Sequence, residues 1–67
     1  METFGKRLKE LRLEKNLSQL ELAKELSVGK SIISTWETDQ SEPTLSNIKK
    51  IALFFGVSID YLAGLED

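Results

Sequence analysis

Residues 19–37 read QLELAKELSVGKSIISTWE, and this stretch decides the fold. It divides into two eight-residue runs separated by Ser27-Val28-Gly29. Leu22, Ala23 and Leu26 recur at helical spacing in the first run, as Ile33 and Trp36 do in the second. The stretch Ser18-Gln19-Leu20-Glu21 matches a capping box, in which the Ser18 hydroxyl accepts from the Glu21 N–H and the Glu21 carboxylate reaches back to the Ser18 N–H. The pattern predicts one helix from Gln19 to about Leu26 and a second over Lys30–Glu37. Ala23 is small enough to let the two approach closely, Val28 fills the turn, and Ile33 and Trp36 anchor the second helix on the first.

Upstream, Phe4, Leu8 and Leu11 fall on one helical face, with Lys6, Arg7, Lys9, Glu10 and Glu14 elsewhere. Asn16 tolerates the left-handed conformation that ends such a helix, after which Leu17 packs back on the core. Downstream, Thr38 to Pro43 is polar and reads as a loop. Thr44 is a candidate cap for a fourth helix, about Leu45 to Phe55, with Leu45, Ile48, Ala52 and Phe55 inward and Gly56 closing it. Ser58 caps a short fifth helix through about Ala63, with Tyr61 and Leu62 inward and Gly64 after it. Phe54 and Leu65 either complete the core or form a seam between two copies. The expectation is an all-α, compact five-helix bundle forming a single domain over residues 1–67.

A chain of 67 residues buries only about 60% of its unfolded surface on folding, so its core must be economical. With no cysteine and no histidine, it has no disulfide framework and no thiolate metal site, and it lacks the commonest general base. No glycine-rich phosphate loop appears, and so short a chain makes a poor pocket. These features predict no enzyme, no catalytic residue, no cofactor, no metal and no small-molecule substrate. No apolar run approaches the roughly 20 residues that cross a bilayer, and the charged start does not read as a signal peptide. The cytoplasm is the expected location.

The net charge of −2 argues against phosphate binding, but its distribution matters more than its sum. Gly5 to Lys15 holds five basic and two acidic residues, and Lys30 to Trp36 holds Lys30 and no acid. The second helix of the central motif lies on the surface, where such a helix can enter a major groove. Lys30, Ser31, Ser34 and Thr35 are the candidate base contacts, since lysine donates to guanine and hydroxyls serve either base type. Ile32 beside them is either partly buried or free to meet a thymine methyl. Ser18 and Gln19 open the preceding helix, where free N–H groups and a partial positive charge suit a phosphate.

The segments LSQLELAKELSVGKSIISTWE and EPTLSNIKKIALFFGVSIDYL together resemble the Xre family of phage-repressor and Cro-type regulators, from about Phe4 to Leu65. The resemblance implies a lambda-repressor-like domain whose second and third helices form a helix-turn-helix. It implies a sequence-specific transcription regulator, more often a repressor, that binds a near-palindromic double-stranded operator as a homodimer. Carried over by position, Ser18, Gln19 and Thr38 match phosphate-contacting sites, and Lys30, Ser31 and Thr35 match base-reading sites with Ser34 beside them. Arg12 and Glu37 match a pair that the family joins as a salt bridge.

Three positions depart from the family pattern. Ser27 stands where the family has glycine, at about 1 kcal/mol if φ is positive there. Gly29 caps the third helix where the family has Ser or Thr. The loop Thr38-Asp39-Gln40-Ser41-Glu42 is acidic where the family is often basic and touches the DNA backbone, which predicts fewer phosphate contacts. That acidity also motivates a second reading, a protein-interaction module or antitoxin-like subunit with weak DNA affinity.

Overall fold

The computed structural model describes residues 3–65. Each helix starts where a short polar residue, or a glycine, leaves the chain extended and frees it to turn. Thr3, Ser18, Thr44 and Ser58 each accept a hydrogen bond from the backbone N–H three residues on. They open α1 (Phe4–Glu14), α2 (Gln19–Leu26), α4 (Leu45–Phe55) and α5 (Ile59–Leu62). Gly29 opens α3 (Lys30–Glu37) with no side-chain cap. These five helices, with no strand among the described residues, make the molecule an all-helical bundle.

The exits are left-handed where the chain must reverse. Asn16 has φ 57°, Ser27 φ 58° and Gly56 φ 68°. The Ser27 value confirms that the α2–α3 turn needs a positive φ, at about 1 kcal/mol for a residue that carries a Cβ. At this turn the Val28 N–H reaches back 2.9 Å to the Ala23 carbonyl.

The centre of the core takes one side chain from every helix: Leu8, Leu22, Ile33, Ile51 and Leu62 are all fully buried. Each contributes about 1.5–3 kcal/mol by leaving water. Ala23 is buried as well, where α2 and α3 meet. α3 packs on α1 and α2, α4 leans on α2 and α5, and α5 returns to α1. The bundle measures 27 × 23 × 21 Å.

One inward assignment is corrected. Leu45 is 61% exposed, and Ile51, absent from the predicted inward set, is the buried residue. The inward stripe of α4 centres on Ile48, Ile51, Ala52 and Phe55, which leaves Leu45 on its flank in the first turn. Tyr61 and Phe54 are half-buried against the core, with Phe54 set edge-on to Phe55, while Leu65 is exposed.

Candidate nucleic-acid interface

α3 is held from below and from its far end. Ile33 and Trp36 sink into the core and turn the opposite face outward. Glu37, the last residue of the helix, is itself buried. The guanidinium of Arg12 on α1 meets it two-pronged, Nε to Oε2 at 2.6 Å and Nη2 to Oε1 at 3.1 Å. Arg12 Nη1 also donates to the Leu17 carbonyl at 2.8 Å, and Gln19 Nε2 on α2 donates to Glu37 Oε1 at 3.1 Å. Three helices are thus tied at one carboxylate. Buried charges tolerate desolvation only when so fully partnered.

Just beyond, the chain touches α1 directly. A Cβ on Gly5 would lie 2.6 Å from the carbonyl oxygens of Trp36 and Glu37, so only glycine fits between the two backbones. Asp39 closes this junction. Its Oδ1 accepts from the Gly5 N–H at 3.0 Å, and its Oδ2 accepts from the Thr3 hydroxyl at 2.7 Å. The acidity of the loop is thereby partly accounted for: the Asp39 carboxylate is engaged with the start of α1.

The outward face of α3 carries Lys30, Ser31 and Ile32, all exposed, with Ser34 and Thr35 half-buried beside them. Ile32 is 40% exposed, so part of its side chain is covered and part stands on the surface. The hydroxyls at the far end are turned inward on the helix. Thr35 Oγ1 donates to the Ile32 carbonyl at 2.9 Å and accepts from Ser41 Oγ at 3.4 Å. Thr38 Oγ1 donates to the Ser34 carbonyl at 3.0 Å and to the Thr35 carbonyl at 3.3 Å. Such bonds fix the rotamers and leave oxygen lone pairs as the free functionality.

The start of α2 is tied to the last residue of α3 through the Gln19–Glu37 bond. The capping box is present in both directions, with Glu21 N–H to Ser18 Oγ at 3.0 Å and Ser18 N–H to Glu21 Oε1 at 2.8 Å. Hydrogen bonding from the Ser18 backbone, and then from its side chain, holds the Glu21 carboxyl below its usual pKa. As at any helix start, the first-turn amides of Gln19 and Leu20 point away from the helix and can meet an anion. The Glu21 charge shares that end.

The structure therefore brings Gln19 to the Arg12–Glu37 pair, leaves Ser18 capping α2 through Glu21, sets Lys30, Ser31, Ser34 and Thr35 along one helix, and folds the Thr38 side chain back on α3. Sequence reasoning missed Gly5, Asp39 and Arg7. A glycine within the first turn of a good helix was the available signal, since it is otherwise costly there. Arg7 is buried, donating to the Tyr61 carbonyl at 3.1 Å and lying 4.3 Å from that ring's centroid. Lys50 is also engaged, with Nζ 3.3 Å from the Leu26 carbonyl at the end of α2. No metal-binding group of acidic side chains occurs among the described residues, and no helix there is long and apolar enough to cross a membrane.

A capped helix, a left-handed three-residue turn and a second helix held on the surface define a helix-turn-helix. The family of that description matches residues 8–62, and the chain belongs to it. Two curated relatives give the range of what it resembles. The chain is 41% identical over 64 residues to the HTH-type transcriptional activator BcrR of Enterococcus faecalis. It is 35% identical over 65 residues to the HTH-type transcriptional regulator ImmR of Bacillus subtilis. These matches take in 96% and 97% of this chain but 31% and 51% of those proteins, so the chain spans a third to a half of their length. In three dimensions it is similar to the P22 c2 repressor in complex with a synthetic operator. That superposition has a TM-score of 0.92 at 27% identity and covers 98% of this chain and 100% of the other.

Proposed function

We propose that residues 1–67 form a single DNA-reading domain that places α3 in the major groove of a specific operator and so regulates transcription, most simply by repression. Lys30, Ser31, Ser34 and Thr35 read bases, and Ser18, Gln19 and Thr38 meet the backbone. The observation that carries this reading is the exposed, acid-free face of α3 mounted on the Arg12–Glu37–Gln19 junction. The family and the P22 c2 repressor's synthetic operator support it. The domain acts as a homodimer in the cytoplasm and catalyses no reaction. On a two-fold axis such a homodimer sets its two recognition helices one duplex turn apart, about 34 Å. The protein-interaction reading loses part of its motive, because Asp39 in the acidic loop is engaged by α1.

The test is selection of bound sequences from random duplexes. Enrichment of a short near-palindrome, with affinity that falls steeply as salt rises, is the expected result. Absence of any enriched sequence overturns the proposal.

A further inference from the structure

We propose that Asp39 is a positioning residue for base reading: its carboxylate staples the end of α3 to the start of α1, so this acidic residue strengthens operator recognition. The proposal rests on α3 being the DNA-reading helix. Three observations converge on it. Both carboxylate oxygens are engaged, Oδ1 by the Gly5 N–H at 3.0 Å and Oδ2 by the Thr3 hydroxyl at 2.7 Å. The Gly5 amide belongs to the first turn of α1, where a helix has no internal acceptor and carries partial positive charge, so an anion there is favoured on both counts. Thr3 is the cap of α1, accepting from the Lys6 N–H while donating to Asp39.

The second observation is backbone conformation. Asp39 holds φ 60°, a left-handed geometry that aspartate tolerates better than most side chains. The Gln40 N–H returns 3.0 Å to the Thr35 carbonyl, closing the last turn of α3 around it. The carboxylate therefore leaves α3 in a fixed direction.

The third is the absence of slack. The Gly5 backbone already rests on the Trp36 and Glu37 carbonyls, as the 2.6 Å approach of a hypothetical Cβ records. The staple therefore clamps two backbones that touch. Glu37 restrains the same end of α3 toward Arg12 and Gln19, while Asp39 restrains it toward the start of α1. Thr35 sits in the final turn that this clamp governs, whereas Lys30 and Ser31 lie at the opposite end. The clamp should matter most for the base positions that Thr35 meets.

Charge alone predicts the reverse. Removing an acidic side chain beside a duplex lowers repulsion and raises affinity for every sequence. Asp39→Ala and Asp39→Asn therefore separate the two accounts, because asparagine keeps an acceptor for the Gly5 amide and discards the charge. Binding of each variant is measured to the selected operator and to a scrambled duplex. The orientation of α3 in the free proteins is measured by residual dipolar couplings, and the Gly5 amide by hydrogen exchange.

For Asp39→Ala we expect operator affinity to fall about tenfold, the loss of one well-aligned base contact, while scrambled-duplex affinity holds or rises. Discrimination should relax at the Thr35 end, the α3 couplings should shift, and Gly5 exchange should quicken. Asp39→Asn should restore much of the operator preference. Equal gains on both duplexes with unchanged couplings would overturn the staple. If the natural chain shows no operator preference, the functional reading fails instead. The couplings and Gly5 exchange then decide the staple: a reoriented α3 in Asp39→Ala upholds it, and an unmoved one refutes it.

Discussion

The two ends of α3 are built to opposite rules. The first turn follows an uncapped Gly29, and Lys30, Ser31 and Ile32 stand exposed to solvent. The last turn is hemmed in by two carboxylates, an arginine, a glutamine and the backbone of Gly5. A helix that must fit a foreign surface needs one region free of internal partners and another whose partners fix its direction. Here the sequence splits those demands along only eight residues. Satisfying the polar groups at the far end internally keeps the free end from dictating how α3 sits on the bundle.

The sharpest way to break this contrast is Glu37→Ala. It leaves the Arg12 guanidinium buried without its carboxylate, which costs about 3–5 kcal/mol. That is a large share of the stability of a domain this small, so urea denaturation should find the midpoint of the variant shifted far toward zero urea. A midpoint close to that of the natural chain would show that the junction carries little.

Gly5→Ala comes next and has a diagnostic sign. In an ordinary helix interior, alanine in place of glycine is stabilising by about 0.5–1 kcal/mol. Here the added methyl meets two backbone carbonyls, and overpacking of that kind costs about 1–3 kcal/mol. Thermal unfolding of the variant at a higher temperature than the natural chain would contradict the backbone contact.

Lys30→Ala and Thr35→Ala probe the two ends by binding. Each should weaken operator affinity by about 1–3 kcal/mol and relax discrimination at its own base positions. For Lys30→Ala stability should stay within about 0.5 kcal/mol, because nothing beneath the side chain depends on it. Loss of folding with Lys30→Ala would assign that residue to the scaffold.

The smallest effect belongs to the start of α2. Ser18→Ala removes the cap, at about 1 kcal/mol. It should also return the Glu21 carboxyl only part of the way toward its ordinary pKa, readable by NMR titration, because the backbone N–H of residue 18, the larger cause, survives the substitution. Because folding depresses that pKa, its contribution is complete above the ordinary carboxylate range and disappears as pH falls through the lowered value. The natural chain should therefore lose more stability on acidification than Ser18→Ala does. Identical acid profiles would leave the whole depression to the Ser18 backbone N–H and none to its hydroxyl.

Local signals in the sequence were sufficient wherever the cause was local. The limits of α3 and α4, the capping box at Ser18 and Glu21, and the left-handed Asn16 all follow from residues within a few positions of one another, whereas the left-handed Ser27 was flagged only by the glycine that the family carries there. Leu45 failed because a helical repeat identifies a stripe only to within a flank. Ile51 shows that the true centre lay one step round the helix. The Arg12–Glu37 pair came from family resemblance, since nothing in its spacing identifies a partner 25 residues away. Asp39 and Gly5 lie 34 residues apart and meet only once α1 has been packed on α3. Read alone, Asp39 looked like a charge set against phosphate. Its bonds give it an architectural use instead.

The Thr35 hydroxyl is already half spent within the fold. Its proton is committed to the Ile32 carbonyl and one lone pair to Ser41. Outward it can show only a remaining lone pair and a methyl. Lys30, at the other extremity, has protons to give and none to receive. Under the proposed docking, the lysine suits the acceptor-rich edge of guanine, and the threonine suits the amino groups of adenine or cytosine or the methyl of thymine. The rod would thus be chemically polar along its axis, and a half-site read backwards would present each end with the wrong edge.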